Sequence, residues 1–311
     1  MISSPNNVPR SLQLPRVPEN VRNTLLAAAR NPRQGYFEND PVKFVHLYSR
    51  TADQEVVALV SALLAFGKVR AFLPKVQSVL EVMGRSPRDY VLSYDPACNR
   101  RFFRNFRSRI YTGEDLRLLF WNLRRILGEF ETLEDAFLAA GGNTTFHARL
   151  AAFAQLFYRE DPFSITARRT YPRSYRHLAS DPGLGGASKR WNLFLRWVVR
   201  RADGVDLGIW SRVRPAELVM PLDTHVGRIA TLIGLRKRRT NDWIAAEEVT
   251  ASLRKLEPDD PLWFDFPLSH IGISERCRGR WVAEVCGACS IRTICKAARR
   301  HQLPPEGTVR K

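Results

Sequence analysis

Residues 182–195 read Pro-Gly-Leu-Gly-Gly-Ala-Ser-Lys-Arg-Trp-Asn-Leu-Phe-Leu, a glycine-rich turn feeding a strongly apolar helix. Trp191, Phe194, Leu195 and Val198 recur at the three-and-four spacing that gathers side chains on one helical face. Two readings of the turn stand side by side. Glycines at a helix N-terminus let backbone N–H groups approach an anion, and the helix dipole adds to the attraction, so Gly183, Gly185 and Gly186 form a candidate phosphate seat. The same residues also suit an ordinary loop in which Ser188 caps the helix. Lys189 opens the helix, a poor place for a cation kept only for structure. The field there is expected to lower its proton affinity, which favours use of the amine as a nucleophile.

Working outward, the helical period persists in both directions. Val56, Val57, Val60, Leu63 and Leu64 mark one helix face, and helices fit residues 115–128, 145–158, 224–233 and 243–256, punctuated by Pro and Gly. Alternating strand patterns are scarce. The expected fold is all-α. Pro5, Pro9, Pro15 and Pro18 make residues 1–20 a flexible arm, and Pro304, Pro305 and Gly307 give the end a similar character. The divisions are then a helical domain over 21–275, a cysteine loop over 276–297 and a basic tail over 298–311.

With 311 residues, 44% hydrophobic and 26% charged, the chain can bury one large core or two modest ones. No apolar run is long enough to cross a bilayer, so the expectation is a soluble, cytoplasmic monomer with no membrane partner. Forty-nine Lys and Arg against 31 Asp and Glu leave a formal charge of +18. That excess points to a polyanion, most simply nucleic acid, because a basic surface gains affinity by releasing counterions from phosphates. The cations cluster: Arg100, Arg101, Arg104, Arg107 and Arg109; Arg196, Arg200 and Arg201; and the unbroken block Arg236, Lys237, Arg238 and Arg239.

Cys277, Cys286, Cys289 and Cys295 form a C-x8-C-x2-C-x5-C run. Soft sulfur donors at short loop spacings suit a tetrahedral metal or an iron–sulfur cluster. Zinc usually takes two C-x2-C knuckles or a Cys/His pair, and a single knuckle is present, which favours the cluster. Disulfides belong to oxidising compartments, and the segment MISSPNNVPRSLQLPR has no apolar core for export. Cys98, the fifth cysteine, reads as a small buried residue.

Asp223 stands at the head of another amphipathic helix in the run Pro-Leu-Asp-Thr-His-Val-Gly-Arg from 221 to 228, where it suits an N-cap. Taken with Lys189 and the cysteines, this segment resembles the aspartate-bearing segment of helix-hairpin-helix DNA glycosylases of the HhH-GPD superfamily, particularly the endonuclease III branch. The run from Lys189 to Leu195 is similar to the helix holding that family's Schiff-base lysine. The cysteine run, following Ser269-His270-Ile271-Gly272, is similar to the loop that holds its [4Fe–4S] cluster. The resemblance covers roughly residues 40–297 and extends to a bacterial branch of unassigned function.

The resemblance implies a two-lobed helical fold and a base-excision DNA glycosylase with abasic-site lyase activity, acting on a flipped base in double-stranded DNA at the nucleoid. In that reading Lys189 attacks C1′ and Asp223 stabilises charge on the sugar. Phe66 and Lys68 follow the apolar helix where the superfamily presents a gap-filling loop; Phe66 in the core and Lys68 on a solvated turn is the plainer account. Arg278 and Arg280 are placed to grip a phosphate backbone. His225 is read as structural, and Trp191, Trp197 and Trp210 as core. A noncatalytic iron–sulfur nucleic-acid-binding protein on the same scaffold, with RNA included among its partners, is the alternative.

Protein purified without oxygen is expected to be brown and to carry about four irons and four sulfides per chain. Metal analysis and the visible absorption spectrum check this, and stoichiometric zinc without iron would overturn it.

Overall fold

The chain is a succession of helices in a computed structural model that describes residues 17–30, 37–142, 144–273 and 275–302. It starts with α1 (Glu19–Arg30), α2 (Thr51–Leu64), α3 (Val69–Met83), α4 (Pro87–Leu92) and α5 (Arg100–Phe103). A small antiparallel hairpin, β1 (Arg107–Ser108) and β2 (Tyr111–Thr112), pairs Ser108 with Tyr111 across a two-residue turn. Helices α6 (Gly113–Glu129), α7 (Leu133–Gly141), α8 (Phe146–Gln155), α9 (Phe163–Thr166) and α10 (Arg173–Leu178) follow. The remaining helices are α11 (Lys189–Val199), α12 (Thr224–Ile233), α13 (Trp243–Arg254), α14 (Asp265–Ile273), α15 (Ala283–Cys286) and α16 (Lys296–Gln302). Residues 1–16 of the expected arm and residues 303–311 of the expected tail lie outside the described residues.

Helices α2 and α11 pack against each other at the centre. Sequence spacing marked one apolar face on each, yet Glu55–Leu64 and Arg190–Val199 are buried on all sides. A helix enclosed all round must be a central one, and the buried apolar side chains from Val21 to Ile294 form one continuous core around this pair. The peripheral helices keep close to their expected bounds. Helix α12 spans 224–233 as expected, between its Asp223 cap and Gly234, whose φ of 81° closes the helix in the left-handed region. Helix α6 begins earlier than expected because Thr112 and Asp115 form a capping box. Its first residue must be glycine: a Cβ on Gly113 would lie 1.9 Å from the Phe103 carbonyl oxygen.

The segment after α11 is laced to the core. Leu207 and Trp210 donate backbone hydrogen bonds to the carbonyls of Trp197 and Val198, each at 2.8 Å. The Trp210 indole donates to Glu55 Oε1 on α2 at 2.6 Å, and the same carboxylate accepts from the Leu133 and Glu134 amides at the start of α7 at 2.9 and 3.2 Å. Glu134 in turn accepts from the Arg212 amide at 2.7 Å. Buried Glu55 thus joins α2, α7 and the 200–213 segment. Glu55→Ala would leave three donors without an acceptor and is expected to reduce unfolding free energy by about 3 kcal/mol in urea denaturation. A loss below about 0.5 kcal/mol would mean that water replaces the carboxylate.

Candidate functional site

Lys189 and Asp223, 34 residues apart in sequence, meet where the N-termini of α11 and α12 converge: Lys189 Nζ is 2.8 Å from Asp223 Oδ2. The lysine side chain is 34% exposed and the aspartate side chain 17%, so the pair is partly open to solvent. Asp223 has two tasks. Its Oδ1 accepts from the His225 and Val226 amides, both at 2.8 Å, capping α12, while Oδ2 faces the lysine. Burial alone would raise the Asp223 carboxyl, but the Lys189 ammonium and the amide donors hold it below the usual range. For Lys189, burial opposes the charged form, yet Asp223, aided by Asp265 and Asp40, raises its proton affinity above the ordinary value. The expected lowering by the helix N-terminus is therefore corrected, since a carboxylate in contact outweighs the dipole's fractional charge.

The glycine loop precedes this pair. Asp181 accepts from the Gly183 amide at 2.8 Å, Gly185 takes φ 78°, and Gly186 bridges to Asp242. The Trp243 amide donates to the Gly185 carbonyl at 3.0 Å, fixing the loop against α13. Residues 183–186 are exposed, Leu184 at 85%, and added Cβ atoms at Gly185 and Gly186 would meet open space. Room for close approach exists at both. Ser188 does not cap α11: it sits at φ 48° and its hydroxyl donates to the Gly186 carbonyl.

The three basic clusters separate once folded. Arg100, Arg101, Arg104, Arg107 and Arg109 are exposed and, among the described residues, in no ion pair. Arg196 and Arg200 are buried and neutralised by Asp206, Asp260 and Asp265, so they are unavailable to a phosphate. Arg236 is buried and Arg238 pairs with Asp242, leaving Lys237 and Arg239 exposed in the third block.

Phe66 is half-buried, its ring 4.5 Å from that of His177 and covered by the Arg109 guanidinium at 4.5 Å. Lys68 is exposed beside it. The exposed apolar side chain of the β1–β2 turn is Ile110, at 48%. Arg109, at φ 56°, occupies a turn position that glycine would fill without strain. Sequence reading passed over Ile110; the signal was a tight turn made of Arg and Ile with no Gly or Asn.

The four cysteines come together. Cys277, Cys286, Cys289 and Cys295 line one small cavity of about 20 Å³ with Leu232, Ile271 and Ile291 among its apolar walls. Burial raises the Cys289 thiol to about 11 and also raises Cys277; each is pushed further by its neighbouring thiols. The raised values keep both groups as thiols near neutral pH. Among the described residues no three His, Cys, Asp or Glu side chains converge as ligands of a single metal ion. Arg278 and Arg280 are exposed on this loop. Cys98 is exposed too, contrary to expectation, because it falls in the surface turn closed by Asp95. His225 Nδ1 lies 3.1 Å from the Gly272 carbonyl, a structural tie between α12 and α14. No helix is long and apolar enough to cross a membrane among the described residues.

The sequence profile of a family described as "Protein of unknown function (DUF2400)" matches residues 40–274, a span that includes Lys189 and Asp223 and stops before the cysteine run. No curated protein and no solved structure matches the chain.

The depressed Asp223 carboxyl links the pair to pH. Its stabilisation is present above the ordinary aspartate range and is lost as pH falls through the lower folded value. In thermal melts the wild-type advantage over Asp223→Asn should therefore be present at neutral pH and vanish under strong acid. Asp223→Ala, which also loses the cap, should cost about 1 kcal/mol more than Asp223→Asn. Equal losses would mean that the cap contributes nothing.

Proposed function

The chain belongs to the DUF2400 family, and we propose that it is a base-excision DNA-repair enzyme, an N-glycosylase with abasic-site lyase activity acting through Lys189 and Asp223. The observation that carries this reading is the 2.8 Å contact between a lysine amine and a carboxylate at two converging helix N-termini, partly open to solvent. A structural ion pair would have no need for the exposed glycine loop and unpaired arginines that accompany it.

The target nucleotide leaves the stack and enters the site. Lys189 rests as an ammonium ion and must lose its proton before its lone pair can react. Nζ then bonds to C1′ while the C1′–N bond breaks, its electrons leaving with the base, which takes up a proton. Loss of one of the two protons then on nitrogen and opening of the C1′–O4′ bond, with O4′ protonated, give a protonated Schiff base, from which loss of a C2′ proton expels the 3′-phosphate and cleaves the strand. Asp223 Oδ2, already 2.8 Å from Nζ, faces the positive charge that develops on the sugar. Its other oxygen stays bound to the α12 amides, so the carboxylate is oriented in advance.

Binding is assigned to the exposed cations and the glycine loop. Amides near Gly185 and Gly186, together with Arg278 and Arg280, would take backbone phosphates. Ile110, next to Arg109 in the β1–β2 turn, is the apolar group available to fill the gap in the stack. Cys277, Cys286, Cys289 and Cys295 would hold a [4Fe–4S] cluster, whose service here is to fix the fold of the loop bearing the two arginines.

Incubation with abasic-site DNA and borohydride is expected to trap a covalent adduct, and Lys189→Gln should abolish it while leaving duplex affinity within about twofold. An adduct that persists in Lys189→Gln would assign the nucleophile elsewhere. Duplex binding without an adduct or base release on any lesion tested would favour a noncatalytic nucleic-acid-binding protein.

A further inference from the structure

Residues 100–111 divide into buried anchors and exposed side chains. Phe103, Phe106, Ser108 and Tyr111 are buried, whereas Arg100, Arg101, Phe102, Arg104, Arg107 and the Arg109–Ile110 turn are exposed. The anchors tie the segment to the core. Phe103 stacks on Phe120 of α6 with ring centroids 5.4 Å apart and 25° between the planes, and its carbonyl oxygen closes against Gly113 at the start of α6. The Phe106 amide donates to that same carbonyl at 3.0 Å, and the Tyr111 hydroxyl lies 2.8 Å from His177 Nδ1. Helix α5 and the hairpin are thereby held on α6 as one ledge.

The ledge carries positive charge without countercharge. No Asp or Glu occurs from 96 to 113. The acids at its two borders are engaged: Asp95 Oδ1 accepts from the Ala97 and Cys98 amides, both at 2.8 Å, and Glu114 lies 4.0 Å from Arg168. Five exposed arginines within ten residues repel one another, and a bound polyanion relieves that repulsion.

Phe102 narrows the choice of polyanion. Its neighbour Phe103 is buried, yet Phe102 is 48% exposed in the midst of the arginines, and the Arg101 guanidinium lies over its ring at 4.9 Å. The guanidinium covers one part of the ring and leaves the rest open to a second flat group. Nucleobases stack on aromatic rings whatever their sequence, and an arginine beside the ring adds to the attraction. A base inside a duplex has both faces covered by its neighbours. Only an unpaired, unstacked base can therefore use this ring, and an acidic peptide has no flat group to offer it.

We propose that α5 and the β1–β2 hairpin form a binding surface for single-stranded nucleic acid, in which an unpaired base stacks on Phe102 and the surrounding arginines take the adjoining phosphates. The surface uses neither Lys189 nor Asp223 and is independent of the enzymatic reading.

The test is fluorescence anisotropy of the full chain with three labelled probes of equal length: oligothymidylate, a base-free deoxyribose-phosphate oligomer and a duplex. Wild type should bind oligothymidylate about tenfold more tightly than the base-free oligomer, the margin of one stacked base. Phe102→Ala and Phe102→Leu should both erase that margin while leaving duplex affinity within about twofold, and Phe102→Tyr, which keeps a flat ring, should retain it. Arg100→Ala combined with Arg104→Ala should weaken both single-stranded probes alike and flatten the logarithmic salt slope by about 0.7 per lost phosphate contact. No margin in wild type, an unchanged margin in Phe102→Ala, an equal loss on the duplex, or an unchanged slope in the arginine variant overturns the assignment. Displacement of oligothymidylate by polyglutamate as effectively as by its own unlabelled copy would overturn it in favour of an acidic protein. Failure of adduct trapping in wild type, with the margin present, would overturn the enzymatic reading alone.

Discussion

Arg196 is the fixed point of this molecule. Its guanidinium, 1% exposed, is held between Asp206 of the segment that follows α11 and Asp265 at the head of α14. A buried charge must be paired and hydrogen-bonded, so neither carboxylate can move without stranding the other charges. Through this knot α11 is set against α14, and the 200–213 segment is set against α2, where Trp210 meets Glu55. The site inherits its geometry from the same arrangement. Lys189 stands two turns before Arg196 on the same side of α11, and Asp223 reaches it from α12, which packs on α14.

Helix α12 links the two chemically distinctive regions. At its N-terminus Asp223 caps the helix and faces Lys189. One turn later Arg228 donates to the Cys277 carbonyl at 2.6 Å, and Leu232 forms part of the wall of the cysteine-lined cavity. Close approach of α12 and α14 depends on Gly272, where a Cβ would come within 2.6 Å of His225 Cβ.

Net charge is a coarse guide until the fold sorts it. The arginines after α11 look basic in sequence, but folding places them in the interior against aspartates brought from positions as distant as 260 and 265. The arginines around the β1–β2 hairpin remain exposed, without carboxylate partners among the described residues. What remains of the three clusters within reach of a polyanion is the hairpin's arginines with Arg201, Lys237 and Arg239. The deepest cations of the chain are invisible to it, since their fields are cancelled within a few ångströms.

Sequence alone determined the helical class, the placement of α12 and most of α13, and the nearness of four cysteines, because periodicity, capping residues and short spacings are local properties. It also nominated Lys189 and Asp223, each as a residue at a helix start. It could not determine that their side chains lie 2.8 Å apart, nor that the ammonium form of Lys189 is favoured, because both depend on side chains brought together from distant parts of the chain. Burial of α2 and α11 on every side was hidden for a related reason: an amphipathic pattern specifies one apolar face, whereas the number of neighbours is a property of the whole packing. The roles of Arg196, Asp265 and Ile110 were likewise decided only in three dimensions, where charge meets countercharge across long sequence separations and a two-residue turn either buries its side chains or presents them to solvent.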